Sequence, residues 1–208
     1  MSQKKIKKIT PGEWAQCIGD LYNNCKDFSD SEYIFTKYLA IINGNLELKK
    51  FPSDFFGFIN RCYHHSVLLF IRRLSERRSD SISLVTLLQS FLEYPDKFMK
   101  IDPEKYKHYE LSKTYICNDI HKILQVCEPV NKKVNKRGIG HLDRDNKNPK
   151  YVFKQNEFDE ALEKLKKLSN KYFDIFGFSG FGKDEYEIAD DWQSIFTIPW
   201  VKVNNGQN

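Results

Sequence analysis

The residues in this chain best suited to chemistry stand together in Val134-Asn135-Lys136-Arg137-Gly138-Ile139-Gly140-His141-Leu142-Asp143. A cation beside an imidazole suits RNA cleavage. The imidazole of His141 can carry a proton to or from a ribose 2′-hydroxyl or a leaving oxygen, and Arg137 can hold the phosphate and offset developing charge. Arg137 and His141 are four residues apart, so an unbroken helix would put them on one face. Gly138 and Gly140 weaken a helix at that place. Asp143 can orient the histidine, Lys136 adds a positive charge, and Asn135 adds a neutral hydrogen-bonding group. Lys132, Lys133 and Arg144 flank the segment as candidate phosphate contacts. The plain alternative is a basic surface turn with a solvated histidine.

Helices must position these groups, because strand patterns are weak and three- and four-residue apolar spacing is widespread. A first helix is expected after Thr10-Pro11, with Trp14, Cys17, Ile18, Leu21 and Cys25 on one face and a break at Asp27 to Ser31. A second carries Ile34, Tyr38, Ile41 and Ile42 and ends near Asn43-Gly44-Asn45. Pro52-Ser53-Asp54 opens what reads as the longest helix, striped by Phe56, Ile59, Tyr63, Val67, Phe70 and Leu74 and running into Arg72, Arg73, Arg77 and Arg78. Arg72 and Arg73 suit a solvated helix end, or one of them an inward pair with Asp119.

Ser79-Asp80-Ser81 is the expected cap of a helix with Ile82, Val85, Leu88 and Leu92, stopping before Pro95. Phe98 to Tyr106 reads as a loop. Leu111, Ile116, Ile120, Ile123 and Cys127 mark a further helix that Pro129 should bend or end. Glu157 to Phe176 is strongly amphipathic, and Gly177 is placed to cap it. Beyond it stand a glycine-rich turn and Trp192, Phe196 and Trp200. The expected fold is all-α, a helical bundle with an irregular C-terminal tail. Residues 1–208 read as one domain: N-terminal helices over 1–50, a core over 51–176 and an aromatic tail over 177–208.

Composition agrees with a globular chain. The sequence has 208 residues, 40% hydrophobic, 29% charged and 14% aromatic, which argues against disorder. The 33 basic and 28 acidic side chains leave a net charge of +5, so nucleic-acid binding would need that charge clustered. The five cysteines are odd in number and form no Cys-x-x-Cys pair, as expected of reduced thiols in a cytoplasmic protein. Neither a metal site nor a cofactor is expected, and no stretch approaches a membrane span.

Two blocks together resemble the abortive-infection (Abi U-type) branch of the HEPN superfamily. The first is Phe70-Ile71-Arg72-Arg73-Leu74 with Asp80-Ser81-Ile82-Ser83-Leu84-Val85-Thr86-Leu87-Leu88. The second is Lys136-Arg137-Gly138-Ile139-Gly140-His141-Leu142-Asp143, similar to that branch's arginine, spacer, histidine and Leu-Asp. The resemblance covers about residues 55–176. It implies an HEPN-like bundle that dimerises, brings two Arg–His segments together at the subunit interface, and cleaves RNA without a metal. It further implies a toxin or phage-defence effector, with an antitoxin protein as a partner. His141 matches the family histidine. The family leaves about four to six residues between arginine and histidine, whereas Arg137 and His141 have three between them; Asn135 and Lys136 stand at the family distance. The alternative within the same fold is a catalytically silent module that binds RNA or a protein partner, and outside it an unrelated helical structural protein.

Overall fold

A computed structural model describes residues 11–45, 54–78, 81–98, 111–136 and 155–178. Among them the chain is all-helical. The segments are α1 (Pro11–Gly44), α2 (Asp54–Ser75), α3 (Leu84–Glu93), the single turn α4 (Pro95–Phe98), α5 (Lys113–Lys136) and α6 (Gln155–Ile175). α2, α5 and α6 pack on one another; α3 lies against α5 and α1 against α2. The all-α bundle read from the sequence is therefore present.

The expected break at Asp27 to Ser31 does not occur: α1 runs unbroken for 34 residues and is the longest helix, where α2 was expected to be. The apolar spacing passes through that stretch, with Trp14, Ile18, Leu21, Cys25 and Phe28 all buried. Phe28 stacks on Phe70 of α2 with ring centroids 3.9 Å apart, and Phe35 stacks on Tyr63 at 3.7 Å. Ser31, one of the polar residues that suggested a break, turns back onto the helix: its Oγ donates to Asp27 O at 2.9 Å, so it caps nothing and interrupts nothing. Thr36 Oγ1 does the same to Glu32 O at 2.8 Å. Glu32 also pairs with Lys166 of α6.

α3 begins two residues later than the sequence suggested, at Leu84 and not at Ile82. Its cap is Ser83, whose side chain accepts from the Thr86 N–H at 3.0 Å while the Ser83 N–H donates to Thr86 Oγ1 at 3.0 Å. This reciprocal pair satisfies two otherwise orphaned groups. Leu84, Val85, Leu88 and Phe91 then enter the core, and Ile82 stays exposed.

Pro129 does not end α5, which continues to Lys136. Burial of Val130 and Val134 holds the turns after the proline, offsetting its missing backbone donor. α6 presents Phe158, Leu162, Leu165, Tyr172 and Phe173 to the core. It closes as anticipated at Gly177, whose φ is +86°. Gly177 N donates to Asp174 O at 3.1 Å and Phe178 N to Phe173 O at 2.9 Å, the paired bonds of a Schellman end. Phe178 packs edge-on against Phe173 and tilts against Tyr22 of α1.

Candidate nucleic-acid interface

Asp119 is buried on α5, but its partners are not the arginines of α2. Lys171 Nζ lies 2.6 Å from Asp119 Oδ2, Tyr172 Oη donates to the same oxygen at 3.0 Å, and Lys122 Nζ is 3.5 Å from Oδ1. Lys171 also stands over the Tyr115 ring, 3.9 Å from its centroid. Burial, and then the adjacent Asp119 charge, push the Tyr172 phenol well above its usual range. This is a structural clamp between α5 and α6. Arg73 instead borders a cavity of about 220 Å³ beside Asp20 and Asp27 of α1, and Arg72 pairs with Glu76 at 3.9 Å.

Cations gather at the end of α2. A cavity of about 340 Å³ is lined by Arg72, Ser75, Glu76, Arg77 and Arg78 from that end and by Leu124, Glu128, Asn131 and Lys132 of α5. On α5 those four share one face through three- and four-residue spacing. The segment after α2 is held in place by the α3 cap: Ser83 Oγ donates to Glu76 O at 2.6 Å and Ser81 Oγ to Arg78 O at 2.7 Å. Ser83, which caps α3, and Ser81 before it thus fix the backbone that carries Arg77 and Arg78.

Beneath the cations lies a polar knot. Asn131 Nδ2 donates to Ser75 Oγ at 2.8 Å, and Ser75 Oγ donates to Ile71 O at 2.7 Å. Burial pushes the neighbouring Cys127 thiol up to about 12, against a smaller opposing effect of the Ser75 hydroxyl beside it. Lys132 Nζ is 2.8 Å from Glu128 Oε1, and this hydrogen bond, with the attraction of the same ammonium, holds the Glu128 carboxyl below its ordinary value. Among the described residues the rim carries four cations against two carboxylates.

Of the residues singled out in the sequence, Lys132 is exposed on this rim. Lys133, Asn135 and Lys136 belong to the last turn and a half of α5. Arg137, His141, Asp143 and Arg144 lie outside the described residues, as do Trp192, Phe196 and Trp200. Ser75 and Asn131, which floor the cavity, carry no motif and are separated by 56 positions. In the sequence Arg77 and Arg78 only continue the basic run after the α2 stripe; clustering with Lys132 is what gives them a site.

A second surface feature lies on α2. Phe55, Phe58 and Leu69 are 56%, 54% and 46% exposed. At about 100° per residue they share one face with the exposed Cys62, opposite the buried Val67, Phe70, Ile71 and Leu74. Among the described residues no group of three or more His, Cys, Asp or Glu is placed to hold a metal ion, and no helix is long and apolar enough to cross a membrane. Comparison with protein-family models, with curated proteins and with solved structures found no match.

Proposed function

We propose that the protein is an RNA-binding helical bundle that cleaves RNA without a metal ion. The observation that carries this reading is the cationic cavity between the end of α2 and α5. It gathers Arg72, Arg77 and Arg78 with Lys132 of α5, the helix whose last described residue, Lys136, directly precedes Arg137 and the segment containing His141. Clustered cations are what a chain of modest net charge needs to hold a phosphate backbone.

In the proposed reaction the 2′-hydroxyl of the scissile nucleotide attacks its own phosphorus. A base removes the hydroxyl proton, the phosphorus–oxygen bond to the next nucleotide breaks, and the leaving oxygen takes a proton. His141 is the proton carrier, Arg137 or Lys136 the phosphate holder, and Asn135 and Asp143 the supporting polar groups. Lys132, Lys133 and Arg144 track the strand. The family resemblance extends this to a toxin or phage-defence effector with an antitoxin protein. It also points to a homodimer, for which the exposed α2 ridge of Phe55, Phe58 and Leu69 offers a surface.

The three-residue gap between Arg137 and His141 favours a second reading, an RNA-binding module without turnover. Labelled RNA incubated with the protein separates them: cleavage supports the nuclease, and binding without products supports the module.

A further inference from the structure

We infer that two copies of this chain pair through the exposed face of α2, with their α2 helices antiparallel. This rests on the homodimer reading and names its surface, direction and register.

Spacing identifies the surface. Phe55, Phe58, Cys62, His65, Leu69 and Arg72 follow one another in steps of three, four, three, four and three. That is the alternation of a coiled-coil seam, whose repeat of about 3.5 residues keeps one edge turned towards a partner helix. A helix that serves only its own bundle needs a single stripe, and α2 has that one in the buried Val67, Phe70, Ile71 and Leu74. The second stripe faces solvent: Phe55, Phe58, Cys62, His65 and Leu69 are exposed, and Arg72 is partly so. It runs for about 26 Å along the helix.

The order of residues in the stripe selects a second copy and its direction. The series of steps reads the same from either end, so the stripe fits its own reverse about a two-fold axis. Antiparallel, Phe58 meets the partner's Leu69, Cys62 the partner's His65, and Phe55 the partner's Arg72. Each match occurs twice. The apolar layers stay together, the Cys62–His65 layers at the centre are polar and fix the register, and Arg72 stands against an aromatic ring. In a parallel pair each residue would meet itself, which sets Arg72 against Arg72 and His65 against His65. The helix ends agree. Asp54 lies in the first turn of α2, and Arg72 and Arg73 lie in the last. Only antiparallel helices bring the acidic end of one to the basic end of the other and oppose their dipoles. Arg72 also reaches Glu76 at 3.9 Å, so this contrast orients the pair while the phenylalanines and Leu69 hold it.

Cysteine cross-linking of the full chain tests surface, direction and register together. The background is Cys62→Ser, Cys117→Ser, which removes the two exposed thiols. Phe58→Cys and Leu69→Cys variants in that background are oxidised with diamide, each alone and then mixed. Antiparallel pairing brings position 58 of one copy against position 69 of the other. It leaves the two 58 positions about 16 Å apart along the helices, beyond the reach of a disulfide. The mixture is therefore expected to give about tenfold more covalent dimer than either variant alone. Equal cross-linking of a single variant with itself would show parallel or different packing and overturn the inference. So would a wild-type protein that sediments as a monomer, or a dimer that yields no mixed product. Should the cysteines themselves weaken the pair, Phe58→Glu mixed with Leu69→Lys is expected to recover the dimer mass that each lacks alone; no recovery would overturn the inference. A cross-linked dimer that neither binds nor cleaves RNA leaves the pairing standing and contradicts the proposed function. RNA cleavage by a strictly monomeric protein sinks the pairing alone.

Discussion

Asn131 Nδ2 lies 2.8 Å from Ser75 Oγ, joining α5 to the last residue of α2 under the cationic rim. Ser75→Ala removes the acceptor and leaves a partly buried amide unsatisfied, so we expect a loss of about 1–3 kcal/mol. A Ser75→Ala, Asn131→Leu pair should cost less than the sum of the single changes, because both polar groups are then gone. Urea unfolding of the four proteins reads this coupling. Strict additivity would contradict the pairing.

Asp119 is expected to matter more than any residue of the rim for folding. Its carboxylate is 3% exposed and holds Lys171 and Tyr172 of α6. Asp119→Ala strands the half-buried Lys171 ammonium and should cost about 3–5 kcal/mol. Asp119→Asn, which keeps an acceptor for Tyr172, should cost less. Equal midpoints for the two variants in urea would show that charge and hydrogen bonding at this clamp are immaterial.

Two thiols make stability depend on alkaline pH. Burial pushes both Cys25 and Cys127 up to about 12, with the neighbouring hydroxyls of Ser169 and Ser75 acting in the opposite sense. The folded protein therefore holds protons that the unfolded chain releases above its ordinary thiol pKa, near 9. Their stabilising contribution is complete below about 9 and is lost as pH rises towards 12. Unfolding midpoints between pH 8 and pH 11 should fall, and fall less steeply in a Cys25→Ala, Cys127→Ala variant compared with its own value at pH 8. A thiol reagent should label the exposed Cys62 and Cys117 quickly and the buried pair only on unfolding.

Phe58 stands at the middle of the exposed face formed by Phe55, Phe58, Cys62 and Leu69. If a second copy covers this ridge, Phe58→Lys should halve the particle mass in sedimentation and leave the helical circular dichroism unchanged. An unaltered mass would remove α2 from the dimer surface.

What was legible in the sequence follows the range of the interaction. The α6 stripe and Gly177 are local signals, and both are found where the spacing placed them. Asp27 to Ser31 misled because serine and aspartate favour caps in general, and only the stacking of Phe28 on Phe70, 42 positions away, decides that α1 continues. Ser79, Ser81 and Ser83 are equivalent candidates for the α3 cap by residue type. Thr86 selects Ser83, and threonine at that position is a weaker flag than glutamate or glutamine. At the site, Lys132 was legible from the basic run. Ser75 and Asn131 were not, because nothing near either residue in the chain announces the partner.

The most direct test of the proposed function is incubation of labelled total RNA, in excess chelator, with wild-type protein and with His141→Ala. The account predicts cleavage by the wild type and intact RNA with the variant, at equal helicity. Equal cleavage by both proteins would contradict the role of His141. Cleavage by neither, from protein shown to be folded, would contradict the nuclease and leave the RNA-binding module.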